Sequence, residues 1–345
     1  MKKNLPFLAL LLANQLNAGQ VGTEEAPPPE KVYNPSSRFQ VAEGVDVFLT
    51  AEVLYWIARE EHLCYAQTDS GGMTNQNPPN GAIDFKGDIK KISAEWDFGV
   101  RLGLGYRFPY DKWDLEGAWT YYHTDQHNSI SGNLLPLWAH PDTAATNLAS
   151  FARAKWNFHF NLADLELTRS FWVGRHLSFS PFFGLRGAWI DQNLNIEYDY
   201  QTTPFSEGNI HTECDFSGGG VRSGVGTRYT FDSPWSLYGL GSVALLYGKF
   251  HCNFKEKLDD NLIALSKDHF NQGVTNLQIL LGLRWDEFFW KRRLHVGLTF
   301  GWEYNIWLSV NQFNRWATQL NTGTLHQQNG NLTLMGFSVG GQFDF

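Results

Sequence analysis

The chain has 345 residues, enough for two soluble domains or one large barrel, and its formal net charge is −8 at pH 7. This acidic balance argues against nucleic-acid binding, and no apolar run reaches the roughly 18–20 residues that a transmembrane helix needs. Aromatic residues and glycines are abundant, with 14 Trp, 13 Tyr, 26 Phe and 33 Gly. That composition favours a β-rich protein, and a membrane barrel over a sandwich.

The N-terminal residues have the pattern of a secretory signal. Two lysines precede a short apolar stretch, and small residues offer a cleavage site after Ala18. Residues 19–44 lack hydrophobic periodicity and contain three consecutive prolines, which indicates a stiff periplasmic leader, with a protein-binding segment as the alternative. The predicted organisation is a signal peptide over 1–18, a leader over 19–44 and a barrel over 45–345.

Long stretches in which apolar and polar residues alternate predict the strands. In residues 92–108 every even position is apolar or aromatic, and every odd position is small or charged. A soluble strand usually has about 5–6 residues, so this length is typical of a strand that crosses a bilayer with about 9–11 residues and continues beyond it. Ten strands are predicted, at 45–57, 92–108, 113–123, 151–172, 177–200, 216–232, 235–254, 271–287, 292–308 and 331–345. Within 151–172 the apolar face changes phase near Ala163, which predicts a β-bulge.

The connections between these strands alternate in length. Short ones fall at 109–112, 173–176, 232–234 and 288–291, and long polar ones at 58–91, 124–150, 201–215, 255–270 and 309–330. Transmembrane barrels have short periplasmic turns and longer extracellular loops. The sequence therefore predicts an all-β, antiparallel transmembrane barrel of about 10 strands with both termini in the periplasm. Up to 16 strands remain open if the long segments contain more.

The register about the short turns agrees with these faces. Pairing places Arg107 opposite Asp114, Arg228 opposite Tyr238 and Arg284 opposite His295, so that polar residues meet polar residues or face the same side. The same register places Cys214 opposite Cys252, and we predict a disulfide between them in the oxidising envelope. Cys64 is then free to cross-link to another envelope protein.

Several stretches resemble a known family. The opening VDVFLTAEVLYWIAREEHLCYA (45–66), the segment DLELTRSFWVGRHLSFSPFFGLRGAWIDQ (164–192) and the closing strand are similar to the Legionella-type pore-forming major outer membrane proteins and to related proteins of Chlamydia-like bacteria. The resemblance covers most of 45–345, and it implies an outer-membrane, pore-forming barrel without catalytic residues or cofactors. The final strand ends on Phe345, which resembles the assembly signal that the barrel-assembly machinery reads.

The strand phase directs a set of charged residues into the lumen. They are Glu52, Glu95, Asp97, Arg101, Arg107, Asp114, Glu116, Arg186, Arg222, Arg228, Arg284, Arg293 and Glu303, with Asp46 near the first strand. Such groups could line a water-filled channel and set its ion preference, or pair across a narrow barrel and plug it. With the resemblance added, the leading hypothesis is a porin for small hydrophilic solutes or ions.

Two other functions stay open. A plugged barrel could act as a structural or adhesive surface protein, and a surface protease could use rim residues such as Asp125, His127, His211 and His251, although no arrangement of paired acids is evident. His123, Asp125 and His127 share a strand face with the spacing of metal ligands, but nothing else in the sequence completes a metal site. The expected partners are outer-membrane lipid, lipopolysaccharide, the assembly machinery and a homo-oligomer.

Overall fold

The computed structural model describes residues 35–42, 46–68, 87–109, 111–140, 148–201, 206–316 and 325–345. The predicted signal peptide and most of the predicted leader lie outside these residues. In the described part of the chain every regular element is a strand. No helix among these residues is long and apolar enough to span a membrane.

The described residues form fifteen strands. They are β1 Val47–Glu60, β2 Cys64–Thr68, β3 Ile89–Lys91, β4 Trp96–Arg107, β5 Trp113–Pro136, β6 Ala149–Arg169, β7 Phe171–Trp172, β8 Leu177–Tyr200, β9 Glu207–Thr230, β10 Trp235–Leu258, β11 Asn261–Phe289, β12 Leu294–Asn311, β13 Asn314–Trp316, β14 Leu325–Gln327 and β15 Gly330–Asp344.

Ten of these strands close into one antiparallel ring in the order β1, β4, β5, β6, β8, β9, β10, β11, β12 and β15, with β15 paired back to β1. The prediction of a ten-stranded antiparallel barrel is confirmed. Strands β2 and β3 extend the sheet from the far end of β5, β7 pairs with β8, and β13 and β14 form a separate hairpin. These additions lie in segments that connect the ring strands.

The alternating faces of the second ring strand are present, but the strand is shorter than predicted. On β4 the even-numbered residues from Trp96 to Tyr106 are exposed, and the odd-numbered ones are buried or half-buried. The partner strand β1 pairs with β4 only as far as Ile57, which lies opposite Trp96. Glu95 is therefore outside the strand and exposed. The alternation of apolar and polar residues predicts the face to which each side chain points, but it does not show where the hydrogen-bonded pairing between the strands ends.

Three of the predicted long loops are largely strand. β5 continues to Pro136, β9 begins at Glu207, and β10 and β11 meet at the two-residue turn Asp259-Asp260. Both turn residues have positive φ, 45° and 66°, as the hairpin turn that matches strand twist requires. Strands such as β8, with 24 residues at about 3.3 Å per residue, extend far beyond the bilayer. The barrel therefore has a long extracellular β-extension.

The outer face marks where this extension begins. On β8 the exposed side chains change from Trp189 to Asp191, and on β10 they change from Tyr247 to Lys249. Aromatic residues at such a boundary match the girdle of membrane barrels. Below the boundary the outer face is apolar, and above it the outer face is polar except near the turn between β10 and β11.

The registers of two short turns are as predicted, and the third is shifted. Arg107 pairs with Asp114 and Arg228 with Tyr238. Arg284 lies opposite Thr299 rather than His295, because the turn occupies residues 290–293, later than predicted, with three consecutive residues at positive φ. The shift is four residues, so each face keeps its side chains. Arg293 lies in this turn and is exposed, so it does not reach the lumen.

The predicted bulge near Ala163 is wrong. β6 pairs with β5 and β8 without a register shift around this residue. The apolar side chains of β6 from Ala152 to Leu162 point into the barrel, whereas Leu165 and Leu167 point outward. The apolar residues change face because the strand passes from the extracellular extension, with its wet exterior, into the lipid.

Candidate functional site: the barrel interior

A layer of paired charges crosses the lumen at the level of the membrane. Arg101 on β4 donates to Glu52 at 2.7 Å and to Glu303 on β12 at 3.0 Å. Glu303 is fully buried and also accepts from Gln278 at 2.5 Å. A buried carboxylate needs such partners, because an unpaired charge in the interior costs several kcal/mol. The contact between Arg101 and Glu303 connects β4 and β12, which are not neighbours in the ring.

The opposite side of the layer is built on β6, β8 and β9. Arg186 donates to both carboxylate oxygens of Asp164, each at 2.7 Å, and to Asn276 on β11. Arg222 pairs with Glu166 and with Asp164, the latter at 3.5 Å, and donates to Gln278 at 2.6 Å. The side chains of Arg186 and Asp164 are 2% and 9% exposed. The charges thus brace the barrel across its width.

An aromatic layer fills the lumen above the charges. Arg101 lies over the ring of Trp56, at 5.7 Å from its centroid, and joins the two layers. Phe160 on β6 and Trp307 on β12 are both inaccessible to solvent, and their ring centroids are 5.6 Å apart in an edge-to-face contact. Further rings of the layer are fully or almost fully buried, namely Tyr122, Trp156, Phe158, Tyr198, Phe216, Phe250 and Phe254. The interior of the extension is a hydrophobic core.

The segment 35–42 closes the periplasmic end of the barrel, and we call it the strap. Its backbone bonds to the β6–β8 connection through Ser37 and Pro35, and Ala42 donates to the carbonyl of Arg292 at 2.8 Å. Phe39 points inward and stacks on His295 at 4.0 Å between centroids. Arg38 donates to Asp114 at 3.3 Å with only 4% of its side chain exposed. The described part of the predicted leader thus packs against the barrel.

A polar cavity of about 360 Å³ lies between the strap and the charged layer. Its wall contains seven arginines and five carboxylates. Arg101, Arg107 and Arg284 also pair with carboxylates behind the wall, in Glu303, Asp344 and Asp286 respectively. The cavity is therefore charged but almost neutral overall.

Eleven of the thirteen predicted lumen residues face the interior. Asp97 accepts a hydrogen bond from Thr124, and Glu116 accepts one from Thr50 at 3.0 Å. The other nine also form ion pairs or hydrogen bonds inside the barrel, and they are Glu52, Arg101, Arg107, Asp114, Arg186, Arg222, Arg228, Arg284 and Glu303. Glu95 and Arg293 do not face the interior. Asp164 and Glu166 also face the interior, although they are not among the predicted lumen residues. The signal for both is local, because they alternate with Leu165 and Leu167, which face outward.

Cys214 and Cys252 lie opposite each other in the register and are joined by a disulfide. Both are inward-facing and almost fully buried. Cys64 is a free thiol of intermediate exposure. At the C-terminus, the backbone N–H of Phe345 donates to the carbonyl of Val47 at 3.0 Å, which ties the last residue to the first strand.

A family model described as Legionella pneumophila major outer membrane protein precursor matches residues 43–345. The chain belongs to this family. The resemblance found in the sequence is confirmed, and membership places this barrel in the outer membrane. Among curated proteins no sequence matches it.

Three solved outer-membrane structures resemble this family member in outline. The protease OmpT from Escherichia coli shares 10% identity, with 90% of this chain and 99% of that chain covered and a TM-score of 0.44. A Pseudomonas aeruginosa FadL homologue shares 9% identity, with 87% and 89% covered and a TM-score of 0.26. The TodX deltaS2S3 mutant monoaromatic hydrocarbon channel shares 8% identity, with 90% and 92% covered and a TM-score of 0.27. Similarity at this level carries no argument about function.

The residues considered as candidates for a protease or a metal site lie on the outer face of the barrel. They are His123, Asp125, His127, His211 and His251. His211 contacts Asn195 at 2.6 Å and Glu213 at 2.8 Å, whereas His251 packs against His269 on the neighbouring strand. Asp125 accepts from Asn157. In the described residues no group of three or more His, Cys, Asp or Glu is arranged to hold a metal ion.

The far end of the extension contains a carboxyl group that titrates near neutral pH. Glu256 points inward, is 1% exposed, and accepts two bonds from the backbone N–H of His140, at 3.0 and 2.9 Å. Burial raises the pKa of Glu256 from 4.5 to about 7, and the backbone bond only partly opposes this. The folded state therefore retains the proton over a pH range in which the unfolded chain releases it.

This titration predicts a pH dependence of stability. Because the folded pKa is raised, the contribution of Glu256 is complete below pH 4.5 and is lost as pH rises to about 7. The loss is of the order of 3 kcal/mol. Urea unfolding at several pH values should show it, and Glu256→Gln should flatten the profile over this range. A profile that keeps its slope in the variant would assign the pH dependence to other groups.

Proposed function

We propose that this protein is a sealed structural barrel that anchors its β-extension at the cell surface. The contact between Phe160 and Trp307 carries the proposal. Strands β6 and β12 stand five places apart in a ring of ten, so two rings 5.6 Å apart meet across the full width of the lumen. The strap adds a second barrier at the periplasmic end.

A surface role is supported by the extension itself. Its outer face is mainly polar, but the start of β11, directly after the turn at Asp259-Asp260, exposes Leu262, Ile263 and Leu265, which are 55%, 42% and 54% accessible. Apolar side chains clustered at an exposed tip favour contact with other molecules. The extension would therefore serve as a platform for adhesion or for packing against neighbouring surface proteins.

A passive porin for small hydrophilic solutes or ions is the second candidate. The charged cavity favours it, because a purely structural core has no need of a polar chamber of about 360 Å³. Passage would require movement of both the strap and the aromatic layer. In that case the paired arginines and carboxylates would set the ion preference.

Planar-bilayer recording of the refolded protein separates the two candidates. We expect neither the full mature chain nor a variant lacking 35–42 to give stepwise currents, because the aromatic layer still closes the lumen. Stepwise currents from the full chain would overturn the sealed barrel and support the porin. Currents from the shortened variant alone would identify the strap as the gate of a porin. Heat-modifiable migration on gels serves as the control for folding of both proteins.

One mass measurement tests both the predicted signal-peptide cleavage and the state of the three cysteines. We expect the intact mass of the protein from outer membranes to correspond to cleavage after Ala18 and one disulfide, with one thiol, that of Cys64, open to alkylation. Three labelled thiols, or a retained N-terminal segment, would contradict this. Recognition of Phe345 by the assembly machinery, contacts with lipopolysaccharide, homo-oligomerisation and cross-linking through Cys64 remain proposals.

A further inference from the structure

The floor of the cavity contains an arginine that has no carboxylate in direct contact among the described residues. Arg228 on β9 donates to the backbone carbonyl of Ser37 at 2.6 Å and lies over the ring of Phe39, 4.4 Å from its centroid. Its Nε is buried and has no hydrogen-bond partner. Among the described residues no carboxylate forms an ion pair with Arg228, whereas the other arginines of the wall all have one.

A second guanidinium on the floor is only partly satisfied. Arg38, supplied by the strap, uses one nitrogen for Asp114 and for the carbonyl of Phe108. Its Nε and Nη2 are buried without partners. Folding removes these N–H groups from water, and each unsatisfied charged donor costs more than an ordinary lost hydrogen bond. Both arginines therefore border the same cavity, and each has unbonded nitrogens buried in its wall.

Hydroxyl groups complete this part of the wall. Ser178 and Ser180 of β8 line the cavity beside Arg228, and the hydroxyl of Ser178 donates to the backbone carbonyl of Arg228 at 3.5 Å. Ser180 shares a hydrogen bond of 2.7 Å with Ser170. Guanidinium forks and hydroxyls are the donors that bind oxyanions, and a cavity of about 360 Å³ is within the usual size of small-molecule sites, about 300–1,000 Å³.

We propose that Arg228 and Arg38, with the serine hydroxyls of β8, form a binding site for a small oxyanion such as inorganic phosphate. The anion gives Arg228 a negatively charged partner and accepts bonds from both guanidinium groups, whose unbonded nitrogens are buried here and turn toward the cavity when the anion binds. Because the strap contributes Arg38, a bound anion also holds the strap in the barrel mouth. The site does not depend on whether the barrel conducts.

Calorimetric titration of the refolded mature chain with inorganic phosphate tests the site, with chloride at equal ionic strength as the reference. We expect saturable binding that Arg228→Gln weakens about tenfold or more. Arg153→Gln is the matched control, because Arg153 is exposed on the extension and pairs with Glu197 at 3.6 Å. This control should bind as tightly as the unchanged protein.

Two further variants test the site even if Arg228→Gln does not fold. Arg228→Lys retains the charge but loses the fork, so it should fold even where Arg228→Gln does not, and it should bind phosphate more weakly. A chain lacking 35–42 loses Arg38 and should also bind more weakly. Absence of saturable phosphate binding to the unchanged protein, or equal affinity in Arg228→Lys and the unchanged protein, would overturn the proposal.

Discussion

Replacing Arg186 by methionine is expected to lower the free energy of unfolding by about 3–5 kcal/mol. Arg186 donates two bonds of 2.7 Å to Asp164, which is 9% exposed. Methionine fills much of the space but leaves the carboxylate with only the longer contact to Arg222, at 3.5 Å. The loss therefore comes from a buried charge without its main partner. Urea-induced unfolding in lipid vesicles measures it.

The double variant Arg186→Met with Asp164→Leu is the control for this effect. It removes both charges together, so no unpaired group remains, and most of the stability should return. Replacement of a complete buried pair by apolar residues is often neutral or stabilising. A double variant that is as unstable as the single one would show that the loss comes from packing. A single variant of normal stability would mean that water reaches Asp164 and that the layer is not closed.

Much of the barrel could be predicted because alternation is a local property. The ten strands, most of their faces and two of the three registers follow from the residues themselves, since side chains in a strand point to opposite faces in turn. The disulfide between Cys214 and Cys252 followed from the same register. These features need no knowledge of the far side of the barrel.

The error at Ala163 has a physical cause. The prediction of a bulge holds only if the apolar residues of a membrane strand face lipid along its whole length. Above the bilayer the exterior is water, and the rings of Trp156, Phe158 and Phe160 are buried inside instead. The apolar face must therefore change sides along an unbroken strand. The outer face near Asp259 is also polar because it lies in water, so the sequence there predicted a loop. These residues belong to β10 and β11.

The sealing of the lumen could not be predicted from local patterns. Phe160 and Trp307 are far apart in sequence, and their contact depends on the diameter and register of the whole ring. The strap is equally non-local, because Arg38 and Phe39 sit in a segment without periodicity and bind strands that come much later in the chain. The sequence showed that charges face inward, but it could not decide between a pore lining and a brace.

Two tryptophans of β12 offer a test of whether the lumen is filled. Trp307 points inward and is inaccessible, whereas Trp302 points outward and is 41% exposed. Trp307→Ala should destabilise the barrel by about 3–5 kcal/mol, because truncation of a buried aromatic residue leaves a cavity in a packed core. Trp302→Ala should cost less, of the order of 1 kcal/mol, mainly through its lost edge-to-face contact with Phe337. Urea unfolding in vesicles compares the two variants directly.

The comparison is sharp because residue type, strand and substitution are the same, and only the face and the height along the strand differ. A water-filled lumen would surround Trp307 with solvent, and its truncation would then cost no more than that of Trp302. Equal costs would therefore favour the porin even if no current were recorded. A large excess for Trp307 means that its contact with Phe160 closes a packed core, and solute passage would then require that core to open at a similar energetic cost.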